Sequence, residues 1–367
     1  MEKVKIKNIF DFQKKSKIKA GDGFKLGEAQ YPFYTSSNEL TKSINEYLFE
    51  DESLIFGTGG LASIHFCNEK FAVSTDCFVI QPKDKKRVFS KFVYYYLSGN
   101  MNILENGFKG AGLKHISKDY LENIEIPLPN LATQQRIAAI LDQADAIIQN
   151  NRAIVQKYDA LTQSLFLEMF GDIKSNSKNW DLKPFEYFAK FDTKMTSDFE
   201  KYADKPHIGI ANIEKETGKL VDYKLISEEN LSSGKYIFDE SHIIYSKIRP
   251  NLNKVALPNF SGLCSADSYP LKVISKNTNR IFFAYVLRSD SFVDFILTHS
   301  TRTNIPKANK EQMKKYIGIA PPIELQNQFA ERVAMIEAQK QQAQLELAKS
   351  EELFQSLLQR AFKGELS

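Results

Sequence analysis

Apolar residues recur at alternating spacings of three and four through two long stretches of this chain, and the other elements are arranged around them. The first stretch opens after Pro127, Pro129 and Asn130 and closes at Gly171, with no proline or glycine between. Ile137, Ile140, Ala144, Ile147, Asn151, Ile154, Tyr158, Leu161 and Leu165 keep the rhythm, which predicts a helix packed along another long helix. Asn130 or Thr133 is placed to cap its first turn, and Gly171 to end its last. The second stretch opens at Pro321 and Pro322 and closes at Gly364. Its line runs Phe329, Val333, Ile336, Lys340, Ala343, Leu347, Ser350, Phe354, Leu357 and Ala361. Ile137 and Phe329 lie 192 residues apart, as do Phe170 and Phe362, so the two helices read as copies in register. Asn151 and Lys340 interrupt the apolar lines, a common device for fixing register at some cost in stability.

Between the helices the rhythm changes. SLIFGTGGLASIHF at 53–66 and KFAVSTDCFVIQP at 70–82 read as short strands joined by glycine or polar turns. VFSKFVYYYLSGNMNIL at 88–104 has helical spacing, and 107–129 reads as a loop, a short helix and a final strand. After Gly171 the plan repeats: residues 243–246 match 54–57, residues 265–267 match 74–76, and 281–297 match the aromatic helix. The chain therefore divides into a domain at 1–129, a helix at 130–171, a second domain at 172–321 and a second helix at 322–367. A period of roughly 190 residues is too long for a solenoid and fits a duplicated domain. The expected fold is α+β, two twisted-sheet domains separated by two long antiparallel coiled-coil helices with a pseudo-two-fold axis. About 33 residues of seam at 1.5 Å each predict a rod of roughly 50 Å.

Composition narrows the function only a little. The 367 residues are 43% hydrophobic and 12% aromatic, ample for two cores. Forty-nine basic against 45 acidic side chains give a net charge of +4, which permits nucleic-acid binding without requiring it. No segment suits a signal peptide or a membrane span. Cys67, Cys77 and Cys264 lack zinc spacing and read as reduced core thiols of a cytoplasmic protein.

Against this background the chain resembles the specificity (S) subunit of Type I restriction-modification systems. The likeness spans essentially the whole chain and rests on PLP…QQRIAAILD at 127–142, mirrored by PPIELQNQFA at 321–330. It rests also on YPFYTSS at 31–37, IIYSKIRPNLNK at 243–254 and AFKGEL at 361–366. The resemblance implies two target recognition domains, each reading half of a split, asymmetric sequence in double-stranded DNA, with the helix pair setting the gap. It implies a non-catalytic chain that docks two methyltransferase subunits, with restriction subunits, and binds no cofactor itself. S-adenosylmethionine, ATP and Mg are implied for those partners.

The residues agree with such a role. In the second domain Ser246, Lys247, Arg249, Asn251, Asn253 and Lys254 combine guanine-, adenine- and phosphate-seeking side chains on one loop. A second loop carries Arg302, Asn304 and Lys307. Counterparts in the first domain are Ser36, Ser37, Thr58, Lys109, Lys114 and His115. The helix seam is assigned to Ile137, Ala144, Asn151, Tyr158 and Leu165 against Phe329, Ile336, Ala343 and Leu357.

Each reading has a plainer rival: a solvated hairpin for 246–254, a mobile surface loop for 299–307, and core packing for Phe92, Tyr94, Tyr95 and Tyr96. GTGG at 57–60 lacks the Lys-Ser/Thr ending of a phosphate loop and reads as a turn. Asp192 with Lys194 and Asp222 with Lys224 form only half of a nuclease pattern. His65 near Cys67 reads as a strand coincidence, and five scattered histidines show no metal spacing. The alternative to DNA recognition is a coiled-coil adaptor that joins proteins without reading DNA.

Overall fold

A computed structural model describes residues 2–298 and 306–366. The chain forms two units, Met1–Ile154 with Ala343–Ser367, and Val155–Gln342. The long helices are Leu131–Phe170 and Ile323–Lys363, so the boundary between units falls inside both. Asn130 Oδ1 accepts the Thr133 N–H at 2.9 Å, capping the first helix. Gly171 and Gly364 follow the two helices with φ of +76° and +83°, the left-handed conformation that ends a helix at least cost in glycine.

In the first unit a four-stranded antiparallel sheet runs Phe10–Phe12, Cys77–Pro82, Ser53–Gly57, Ile64–Cys67. Ser53–Gly57 is buried along its whole length. Leu54 and Phe56 enter the main core, while Ile55 on the opposite face meets Tyr34, Phe71 and Val79. A second sheet orders Phe24–Lys25, Lys42–Ile44, Tyr31–Tyr34 and Ala72–Val73, the last pair parallel. Helix Ser90–Ser98 covers the first sheet. Its Phe92 packs against Phe362, and Tyr95 donates a 2.5 Å hydrogen bond to Asp142 of the first long helix. The aromatic run thus joins sheet to long helices.

The second unit repeats the plan. Ala189–Phe191, Ser268–Val273, His242–Ser246 and Val255–Ala256 form the matching four-stranded sheet. Arg280–Arg288 is the matching helix. The accessory sheet has five strands here, in the order Met195–Thr196, Lys235–Phe238, Gly262–Cys264, Pro206–Ile208, Lys224–Leu225. All three cysteines are free and buried, and burial pushes Cys77 up to about 11 and Cys264 up to about 12. No described helix is long and apolar enough to cross a membrane.

A duplicated glutamine fixes each short helix to its long one. Gln134 Oε1 accepts the Phe89 N–H at 2.9 Å, and its Nε2 donates to the carbonyls of Arg87 and Pro129. Gln326 accepts from Asn279 N–H and Thr278 Oγ1 and donates to the Pro321 carbonyl. Both glutamines are fully buried. Gln134→Leu and Gln326→Leu each strand buried backbone partners and are expected to destabilise their own unit by about 1–3 kcal/mol. Urea unfolding checks this; an unchanged midpoint would show that water replaces the amide.

Within the second unit Asp159 pairs with Lys340, while Phe166 and Phe170 meet Phe329, so the helix segments run antiparallel. In the first unit Asn151 Nδ2 donates to Ser350 Oγ at 3.3 Å and Arg152 pairs with Glu351 at 2.7 Å. Asn151 and Lys340, the two polar breaks, are therefore paired rather than stranded. Ile137, Ala144 and Leu165 are buried, and Asn151 and Tyr158 half-buried. On the second helix Phe329, Val333, Ala343, Ser350 and Ala361 are buried, with Ile336, Lys340, Leu347, Phe354 and Leu357 half-buried.

The other half of the first helix's expected line is corrected. Ile147, Ile154 and Leu161 are exposed, and Ile140 is only half-buried. Leu141, Ile148 and Thr162, each one residue further on, are buried, Val155 is half-buried, and Met169 continues the same phase as a buried residue. Adjacent apolar pairs such as Ile147-Ile148 and Ile154-Val155 satisfy either phase. The buried Gln134 and Thr162, being polar, hide the true one.

Candidate nucleic-acid interface

The two four-stranded sheets carry their candidate residues at the end of the central strand, and the backbone there follows one scheme in both domains. In the first domain Thr58 N–H donates to the Asp76 carbonyl at 2.9 Å, and Ile116 N–H donates to the Thr58 carbonyl at 3.1 Å. Gly59 forms a bridge with His115. In the second, Lys247 N–H donates to the Asp267 carbonyl at 2.9 Å, and Ala308 N–H to the Lys247 carbonyl at 2.8 Å. Ile248 forms the bridge with Lys307. The same three backbone links therefore present Thr58, Gly59 and His115 in one domain, and Lys247, Ile248 and Lys307 in the other.

The first tip gathers all six of its candidates. Ser36 Oγ and Thr58 Oγ1 both donate to the Asp76 carbonyl at 3.0 Å, and His115 Nδ1 lies 3.1 Å from the Thr58 carbonyl. Ser37 offers its carbonyl to His65 Nε2 at 2.8 Å, so His65, within its strand, also braces this loop. Burial lowers the His65 pKa and favours the neutral ring. Lys109 lies opposite His115 in a hairpin of Phe108–Lys109 with His115–Ile116, where the sequence suggested only a loop. Gly57 lets the chains close: a Cβ there would lie 2.3 Å from Ser63 Oγ and 2.9 Å from Ser36 Cα. Lys109, Lys114 and His115 are exposed.

The second tip differs in detail. Strand His242–Ser246 leads into a short 3-10 turn at Pro250–Leu252, flanked by Arg249 and Asn253, both with φ of +51°. That conformation is uncommon outside glycine and costs of order 1 kcal/mol or more. The Arg249 N–H is held by the Pro306 carbonyl at 2.9 Å, while its side chain and that of Asn251 are exposed. Lys307 pairs with Asp267 at 3.2 Å and remains partly open to solvent.

Several candidates are turned inward instead. Thr58, Ser246 and Lys247 are buried. Lys247 lies over the rings of Tyr236 and Tyr269 and donates to the Ala266 carbonyl; burial, then the nearby Lys307 charge, lowers its pKa. Ser246 Oγ donates to the Ile248 carbonyl. Asn253 donates to the Arg288 carbonyl at 2.6 Å, and Lys254 to the Ile210 carbonyl at 2.8 Å. These residues shape the loop and are not free to meet a ligand as they stand. Their polarity suggested a surface; the buried strand end draws in Ser246 and Lys247, and carbonyl partners draw in Asn253 and Lys254. Arg302 and Asn304 lie outside the described residues. Sequence reasoning also passed over Leu61 and Leu113 at the first tip, since lone leucines in glycine-rich loops give no pattern.

Two sheet domains on a shared pair of long helices, with matched tips of differing chemistry, define a chain built to present two surfaces. It belongs to the family of Type I restriction modification DNA specificity domains, whose profile matches residues 1–157 and again 178–347. The family's part is DNA specificity rather than catalysis. The specificity subunit of the Type I restriction enzyme EcoDI from Escherichia coli is 29% identical over 379 residues, 93% of this chain and 83% of that subunit. The S subunit of a Type-I restriction-modification system from M. genitalium matches with a TM-score of 0.65 at 14% identity, covering 98% of this chain and 96% of that one. A chain from work on complex assembly and conformational transition of the type I R-M system gives 0.53 at 12% identity, covering 99% and 98%. At these identities the structural likenesses speak to fold alone.

Proposed function

We propose that this chain is the sequence-specific DNA-recognition subunit of a Type I restriction-modification complex. It reads a bipartite, asymmetric target and positions methyltransferase and restriction subunits on it. The observation that carries the reading is the pair of tips, identical in three backbone links and different in side chains. Arg249, Asn251 and Lys307 suit base edges and phosphate in one half-site; Lys109, Lys114 and His115 suit the other. The duplication supports two methyltransferase copies. On this reading S-adenosylmethionine, ATP and Mg serve the partner subunits.

Binding to duplex DNA at several salt concentrations tests the reading. The expected result is sequence-selective binding whose log affinity falls linearly with log salt, by about 0.9 per phosphate contacted. Binding to protein partners with neither selectivity nor salt dependence would favour the adaptor alternative.

The long helices act in this reading as the ruler between half-sites. One heptad inserted after Ile154 and another after Gln342 would keep the seam in phase. Each adds roughly 10 Å of helix, and the spacer of the methylated motif is expected to grow by about three base pairs. An unchanged spacer would show that the helix pair does not set the gap.

A further inference from the structure

We propose that the first domain's tip reads thymine methyl groups in the major groove through Leu61 and Leu113, a pair with no equally exposed apolar counterpart among the described residues of the second tip. The proposal rests on the DNA-recognition reading above.

Leu61 and Leu113 are 79% and 71% exposed, the two most exposed large apolar side chains among the described residues. Water disfavours such exposure, and neither belongs to a core cluster. Both project from glycine-rich turns, GTGGL at 57–61 and GAGL at 110–113, each preceded directly by a glycine. The turns lie together, since Gly59 bridges His115 and the Leu113 methyl Cδ2 comes within 3.6 Å of where a Gly59 Cβ would stand. Leu61 follows Gly60, whose φ of +83° turns the chain at that point.

The surroundings select the occupant. Lys109, Lys114 and His115 flank the leucines and are exposed, complementing a phosphate backbone rather than an apolar protein face. Within the major groove the one apolar group on the base edges is the 5-methyl of thymine, and aliphatic side chains recognise it by contact. The second tip offers different chemistry. Ile248 and Lys307 replace Gly59 and His115 in the shared bridge, and among the described residues of the 246–254 loop the exposed polar side chains are Arg249 and Asn251. One half-site would thus be read partly by methyl contact and the other by hydrogen bonds.

The test uses the full chain and a duplex carrying its mapped target, with thymidine replaced by deoxyuridine one position at a time. This removes the methyl group and leaves every base-edge hydrogen bond intact. The expected result is about a fourfold loss of affinity at one or more positions, confined to one half-site. In Leu61→Ala/Leu113→Ala that loss disappears, because the leucine partner is already gone. Both leucines are exposed, so the variant should fold, and its unfolding midpoint verifies this. Selective binding with no uracil penalty would overturn the proposal and leave recognition standing. So would a penalty that persists in the double variant. Failure of any duplex to bind selectively would overturn both.

Discussion

Phe329→Ala is expected to cost the second unit about 3–5 kcal/mol, the range for truncating a fully buried aromatic side chain. Phe329 is completely buried in the second long helix and makes edge-to-face contacts with Phe166, Phe170 and Tyr285, ring centroids 5.2 to 5.5 Å away. It therefore joins both long helices to the helix Arg280–Arg288 that covers the sheet. The loss has two parts, the transfer of a large apolar surface and the cavity left among rings that cannot close over it. A loss of this size is a large share of a domain's net stability. The measurement is urea unfolding followed by a probe in each unit. The second unit's midpoint should fall well below its wild-type value, and Phe329→Leu should fall between. Equal midpoints would mean that the aromatic cluster repacks.

Arg249→Ala is expected to relax recognition at one base of one half-site, by about 1–3 kcal/mol, while the other half-site keeps its selectivity. The side chain is exposed, its backbone is held in a left-handed conformation, and its N–H is fixed by Pro306. Such a position is shaped by the loop before DNA arrives, which lowers the ordering cost on binding. Arg249→Lys retains the charge and loses the planar fork, so it should recover part of the affinity and little of the discrimination. Lys307→Ala, by contrast, should weaken all duplexes alike and reduce the salt slope by about one contact. Competition between duplexes with single base changes separates these outcomes. Identical penalties for wild type and Arg249→Ala at every position would exclude a base contact.

Much of this architecture is legible in the sequence because the chain states it twice. Proline-opened, glycine-closed stretches marked both long helices, and the 192-residue offset carries through to Gln134 and Gln326, which make matching bonds. The phase of the first helix was less legible, since adjacent apolar residues offered two seams and burial chose the one that includes Gln134. At the tips, spacing located the right loops but could not tell inward from outward. Lys247 and Arg249 are two residues apart on one loop; one is buried over tyrosine rings and the other faces solvent. That difference arises from the strand's buried continuation and the left-handed turn at Arg249, neither of which leaves a mark in composition. Leu61 and Leu113 were silent for the opposite reason: only their exposure makes them unusual.

In the proposed function this chain chooses the DNA sequence on which its partners act. Co-expression with its cognate methyltransferase subunit, followed by long-read mapping of modified adenines across the host genome, tests this most directly. The predicted result is a split, asymmetric motif that vanishes when this chain is omitted and loses one specified base when Arg249 is replaced by alanine. Methylation that is absent despite a stable complex, or a motif that is the same without this chain, would contradict it.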